Sequence, residues 1–285
     1  MAGKFARSWA LMKASARVLR SDKSLLLFPL LSGVCTLVVA ASFLVPVGVV
    51  VVAGHAGRLD GRGLPLAYYA VLFAFYLVQY FVIVFFNTAL AGAALQSLRG
   101  EPTSLAAGLA VAKARFGSIL GYALIAATVG LLLRVLQERL GLIGRLVTGL
   151  IGLAWTMATY LVVPLLASQD IGPVDAVKRS TALLKRTWGE NLIGNAGLGV
   201  VFALVFLLAL MLAMALVAGA FMLQSIAAVV GVVGLVVVGL ILLGLIQSAL
   251  QGIYAAALYR YAEAGEVGGG FDPALLESAF RSKRA

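Results

Sequence analysis

The chain has 285 residues, of which 62% are hydrophobic and only 12% charged, with a mean hydropathy of +1.06. A soluble domain is about half apolar and about a quarter charged, so this composition excludes an ordinary soluble enzyme and places the chain in the membrane class. The net charge of +11 then reads as basic segments facing anionic lipid, not as a nucleic-acid footprint, because no aromatic-rich basic module accompanies it.

The first element is a basic amphipathic helix over Gly3–Asp22. Phe5, Trp9, Met12, Ala16 and Leu19 fall on one apolar stripe, and Arg7, Lys13, Arg17 and Arg20 lie largely off it. A first span follows at Ser24–Ala53. Its apolar run is too long for the core of a signal peptide, so it is expected to be a retained signal anchor. Cys35, the single cysteine, sits in this span. One cysteine makes neither an intrachain disulfide nor a thiolate metal site, and it reads as small core filler. The loop Gly54–Pro65 carries the single histidine, His55, which reads as a solvated side chain.

The second span is expected at Leu66–Leu98, with Gln79 and Asn87 among Tyr68, Tyr69, Tyr76 and Tyr80. A second basic amphipathic segment, Pro102–Arg115, carries Lys113 and Arg115. Spans three and four follow at Phe116–Leu136 and Leu146–Ser168, joined by the short loop Gln137–Arg145. Arg134, near the outer end of span three, has Glu138 at i+4 and is expected to pair with it. A third basic segment, Pro173–Trp188, holds Lys178, Arg179, Lys185 and Arg186, and its Val177, Thr181, Leu184 and Trp188 repeat the apolar spacing of the first. Spans five and six are expected at Leu192–Ala220 and Ile226–Tyr261, joined by an uncharged turn at Phe221–Ser225. Asn191 and Asn195 open span five, and Gln247 and Gln251 lie one turn apart in span six. In the tail, Asp272-Pro273 suits the start of a short helix.

Each span exceeds the roughly 18 apolar residues that cross a bilayer core of about 30 Å. Pro29, Pro46 and Pro164 are the expected kinks. No segment alternates polar and apolar as a membrane barrel requires, so the fold class is all-α, a polytopic membrane protein of six transmembrane helices. With the N-terminus inside, the outer segments hold only Arg58, Arg62, Arg134, Arg139 and Arg145, and the other 17 of the 22 basic residues fall inside. That bias places both termini in the cytoplasm. The chain therefore reads as a multi-pass protein of the inner (plasma) membrane.

The layout reads as one unit used three times: an interfacial helix followed by a helical hairpin. Lys113-Ala-Arg-Phe-Gly117 and Lys185-Arg-Thr-Trp-Gly189 are its clearest trace. The units are 1–98, 99–169 and 170–264, with a cytoplasmic tail at 265–285, all within a single membrane domain. The three basic helices read either as lying flat at the interface with their cations on phosphates or as elbows packed on the spans, and the two are compatible. Glycines such as the Gly117-xxx-Gly121 pair and Gly231 with Gly234 read as small packing faces.

The opening Arg7-Ser-Trp-Ala-Leu-Met-Lys13 and the run Asp22-Lys-Ser-Leu-Leu-Leu-Phe-Pro-Leu-Leu-Ser-Gly33 resemble a family of prokaryotic six-span proteins of unknown function. The resemblance is specific over residues 7–33. More distantly, the helix-plus-hairpin unit is similar to YciC-type inner-membrane proteins and to the membrane domain attached to some glycerophosphodiester phosphodiesterases. The phosphodiesterase domain itself is not in this chain, so the resemblance implies the architecture and no catalytic residues.

No HExxH, GxSxG or phosphate-loop pattern occurs, and no carboxylates pair inside a span. The expected function is therefore a non-enzymatic module without cofactors or metal. It would meet anionic phospholipid of the bilayer, or a protein partner, through Arg7, Lys13, Arg17, Arg20, Lys113, Arg115, Lys178, Arg179, Lys185 and Arg186, and would serve envelope or lipid homeostasis. The alternative is a transporter or lipid translocator with a polar groove built from Gln79, Asn87, Asn191, Asn195, Gln247 and Gln251.

Overall fold

The computed structural model describes residues 4–52, 66–139, 141–188, 197–222, 224–266 and 271. Within them the chain is helical: α1 (Lys4–Ser21), a 3₁₀ turn (Lys23–Leu26), α2 (Leu27–Val52), α3 (Leu66–Leu98), α4 (Leu105–Ala114), α5 (Phe116–Arg139), α6 (Gly141–Ala158), α7 (Val162–Ser168), α8 (Pro173–Trp188), α9 (Gly197–Met222) and α10 (Ile226–Ala264). Among the described residues six segments are long and apolar enough to cross a membrane: Lys23–Pro46, Tyr69–Leu98, Phe116–Glu138, Gly144–Ser168, Phe202–Met222 and Ile226–Ala264. Without water in the bilayer, helices satisfy their backbone groups internally, and the apolar runs take that form. A shorter helix, α1, α4 or α8, precedes each pair of spans.

One boundary differs from expectation. Helix α9 continues through Phe221 and Met222, so the turn begins later, and Gln224 turns the chain with φ 49° before Ser225 caps α10. The fifth helix is described from Gly197 and its apolar window from Phe202, and the expected start at Leu192 lies outside the described residues. His55, Asn191, Asn195 and the Asp272-Pro273 segment lie outside the described residues.

Of the three prolines, only Pro164 breaks its span. Pro46 sits inside α2. Pro29 falls in the first turn of α2, where backbone N–H groups have no intrahelical acceptor anyway. Pro164 cannot donate to the Tyr160 carbonyl, and the fourth span divides into α6 and α7 around Thr159–Leu161. Tight bonds from Tyr160 N to Met157 O (3.1 Å) and from Val162 N to Thr159 O (3.0 Å) carry the chain across. They leave the Ala158 carbonyl and the Leu161 N–H without helical partners. Ser180 of α8 supplies both. Its hydroxyl donates to Ala158 O at 2.7 Å and accepts from Leu161 N at 3.1 Å, in full burial.

The buried core gathers at one end of the bundle. It combines α1, the start of α2, the last half of α3, the start of α5, α7, α8 and the last part of α10. Chain alternation puts all of these at the same end, the one that carries the basic helices. The opposite halves of α2, α9 and α10 bury little; Leu37, Leu208 and Leu235 are 70%, 64% and 69% exposed. Those are surfaces for lipid tails. Glycines make the tight end possible. A Cβ at Gly108 would collide with the Phe28 ring and stand 2.7 Å from the Ala89 carbonyl. A Cβ at Gly252 or Gly121 would meet side chains only, Leu90 at 2.5 Å and Pro173 at 2.7 Å. By contrast, Gly117, Gly231 and Gly234 have open space. Their reading as packing faces is therefore corrected.

Two substitutions test this account. Gly108→Ala is expected to cost about 1–3 kcal/mol through overpacking against a backbone carbonyl, whereas Gly231→Ala is neutral or slightly stabilising. Thermal unfolding of the two variants in one detergent measures the contrast. Ser180→Ala strands the buried Leu161 N–H and leaves the Ala158 carbonyl only a long contact from Thr181 Oγ1 at 3.4 Å, and is expected to lower stability by about 1–3 kcal/mol in the same measurement.

Candidate functional site at the basic end

Helix α1 divides into three sectors. Leu11, Ala14, Ser15, Val18 and Leu19 are buried, and α1 packs against α9 and α10. Lys13, Arg17 and Arg20 are exposed at i, i+4 and i+7 on the opposite face. Between the two runs Trp9, which is 43% exposed, with half-buried Met12 and Ala16. The apolar stripe read from the sequence is thus mostly this flank, and the packed face lies beside it. Small residues at Ala14 and Ser15 let α1 approach the spans closely, and so the packed face carries a weak hydropathy signal. The Lys13 ammonium stands 5.9 Å from the centre of the Trp9 ring, within cation–π range.

The cations of the face line a hollow of about 360 Å³ with Ala10 and Ala16. No carboxylate among the described residues lies within ion-pair distance of Lys13, Arg17 or Arg20.

The other basic helices use their charges differently. Arg115 caps α4 and pairs with Asp170 in the segment between α7 and α8. Ser118 of α5 donates to Ile171 O at 2.9 Å beside it. Arg179 pairs with Glu263 of α10. Gln169 joins the same node, donating to Tyr259 Oη at 2.9 Å and to Glu263 Oε1 at 3.4 Å. These two arginines fasten α4 and α8 to the core. Lys113, Lys178 and Lys185 remain exposed. The packed face of α8 is Ala176, Ser180, Leu183 and Leu184, one position off the stripe expected from the sequence, and Thr181 is exposed. The side chains of Arg7 and Arg186 lie outside those described.

Four of the six intramembrane polar residues lie among the described residues. Gln79 Nε2 donates to Thr36 O of α2 at 3.1 Å, while its Oε1 is buried and unpartnered. Asn87 and Gln247 are half-buried and Gln251 is exposed. Among the described residues no hydrogen bond joins Gln79, Asn87, Gln247 and Gln251 to one another. Arg134 bonds Glu138 Oε1 at 3.1 Å, as expected, and also Tyr76 Oη of α3 at 2.8 Å. Cys35 is half-buried.

Apolar spans, a core at one end and cations left outside it define a multi-pass membrane protein. The chain belongs to a family of unknown function, DUF6159, whose model matches residues 66–270. The match takes in α3 to α10, while α1, α2 and the motif at residues 7–33 precede it. No curated protein and no solved structure matches the chain.

Because they face away from the packing, Lys13, Arg17 and Arg20 are expected to be dispensable for folding. Changing all three to Gln should shift stability by no more than about 0.5 kcal/mol. Arg115→Gln, which breaks a partly shielded pair, should cost up to about 1 kcal/mol. Detergent melting curves separate the two.

Proposed function

We propose that this chain is a non-enzymatic inner-membrane module that binds anionic phospholipid through its basic face, with both termini cytoplasmic and a role in envelope or lipid homeostasis. The observation that carries the reading is the α1 face. Three cations stand on one side of a helix whose other side is fixed to the bundle, with a half-exposed tryptophan flank between. Trp favours the headgroup level of a membrane, and a cation near an anionic surface gains about 1 kcal/mol. The exposed Lys178 and Lys185 of α8 add cations at the same end of the bundle. A protein partner with an acidic surface would meet the same charges.

The order of a short helix before each hairpin supports the threefold-repeat reading, and the positive-inside bias supports the cytoplasmic placement. The distant likeness to YciC-type proteins and to the phosphodiesterase membrane domain fits this reading.

One observation favours the second reading, a translocator. Broken spans often line transport sites, and the fourth span is broken. Yet Ser180 occupies the freed backbone groups, and Gln79 Nε2 is bound to α2. The module reading is the stronger.

The test uses Trp9 as its own reporter, with Trp155 and Trp188 changed to Phe. In proteoliposomes, brominated phosphatidylglycerol should quench Trp9 more than brominated phosphatidylcholine. Lys13→Gln with Arg17→Gln and Arg20→Gln should remove the difference. Equal quenching by the two lipids in the unneutralised protein would sink the proposal.

A further inference from the structure

We infer that the hollow on α1 is a headgroup site selective for a lipid phosphomonoester, an acyl-glycerol bearing a terminal phosphate, over phosphodiester lipids. This rests on the anionic-lipid reading above and narrows it to one chemistry.

The argument begins with donor count. Arg17 and Arg20 are two planar forks of five N–H donors each, and Lys13 adds three more. A diester phosphate offers two non-bridging oxygens and one negative charge. A monoester offers three terminal oxygens and, above its second pKa of about 6, close to two charges. Two forks and an ammonium on one face match the second set better, since each guanidinium takes a pair of oxygens side by side. A carboxylate, with two oxygens, leaves one fork idle.

The floor of the hollow adds to this. Ala10 and Ala16 flank the cations with methyl groups only, and the space above them is about 360 Å³. A bulky side chain at either place would hold a phosphate away from the helix. Among the described side chains the remaining basic helices present no equal. Arg115 and Arg179 pair with Asp170 and Glu263, and the other described cations of α4 and α8 are lysines. Lysine is a point charge and does not distinguish monoester from diester by geometry.

The lipid source follows from the flank. Trp9 is 43% exposed next to the same cations, with Lys13 over its ring. An indole placed there marks the level of headgroups and upper acyl chains. A phosphate presented from that side arrives on a lipid, whereas a soluble phosphate would gain nothing from the tryptophan.

Native mass spectrometry of the full chain in mild detergent tests this, with equimolar phosphatidic acid and phosphatidylglycerol. At about pH 7.5, retention of phosphatidic acid should exceed that of phosphatidylglycerol roughly fivefold, the factor set by one further charge contact of about 1 kcal/mol. At about pH 5 the monoester takes up its second proton, and the ratio should fall towards one. Arg17→Lys with Arg20→Lys keeps the charge and loses the forks, and it should lower the ratio at about pH 7.5 without changing the melting curve. Equal retention of both lipids at both pH values, lost on changing Lys13, Arg17 and Arg20 to Gln, overturns the monoester selectivity and leaves the anionic-lipid reading standing. Selectivity that survives in the glutamine variant overturns the placement on α1. Retention of neither lipid by the unaltered chain overturns both readings. Displacement of phosphatidic acid by an equal concentration of glycerol 3-phosphate makes the ligand a soluble phosphomonoester and overturns the lipid assignment.

Discussion

A helix that stops inside an apolar slab must find partners for the backbone groups it releases, because no water is there to take them. Pro164 forces such a stop in the fourth span, and the Ser180 hydroxyl answers it by giving one hydrogen bond and receiving another. Much of the basic end follows from that pair. Once Ser180 is seated, α8 has one rotation and one height. Its Leu183 and Leu184 enter the core, Arg179 meets Glu263, and Gln169 bonds Tyr259. Arg115 then closes the segment between α7 and α8 by pairing with Asp170.

This arrangement sorts the positive charges into two kinds. Those on α4 and α8 that meet an acid serve as fasteners, each balanced by its partner carboxylate. Those on α1 meet no acid among the described residues and keep their fields for whatever approaches. Helices in a bilayer gain no hydrophobic attraction from one another, since lipid tails are as apolar as leucine. Close contact and polar pairing must hold them instead. Both concentrate where Gly108, Gly121 and Gly252 leave room for Ala89, Pro173 and Leu90. The far halves of α9 and α10, without such contacts, stand mainly against lipid.

The six spans were legible because a run of apolar residues is a strong and local signal. The Arg134–Glu138 pair was legible because its partners are one helical turn apart. Pro164 announced a distortion, yet nothing near Ser180 in the chain shows that this serine mends it; the partners come from another helix. The same distance hid the Arg115–Asp170 and Arg179–Glu263 pairs, so fasteners and free cations looked alike. On α1 the stripe through Trp9, Met12 and Ala16 had the stronger hydropathy, whereas Ala14 and Ser15 pack because they are small. Gly117 and Gly121 looked equivalent, and only Gly121 has a neighbour, Pro173.

Helix α1 rests on α9 and α10, and these lie at the far end of the chain from it. During synthesis α1 is made long before its supports exist. At about 5–20 residues per second the interval is on the order of 10–50 s. Through that time the face of Leu11, Ala14, Val18 and Leu19 has only membrane or a chaperone to cover it. A chain interrupted before α10 would carry α1 with half of its support missing, an unsealed apolar helix beside the membrane.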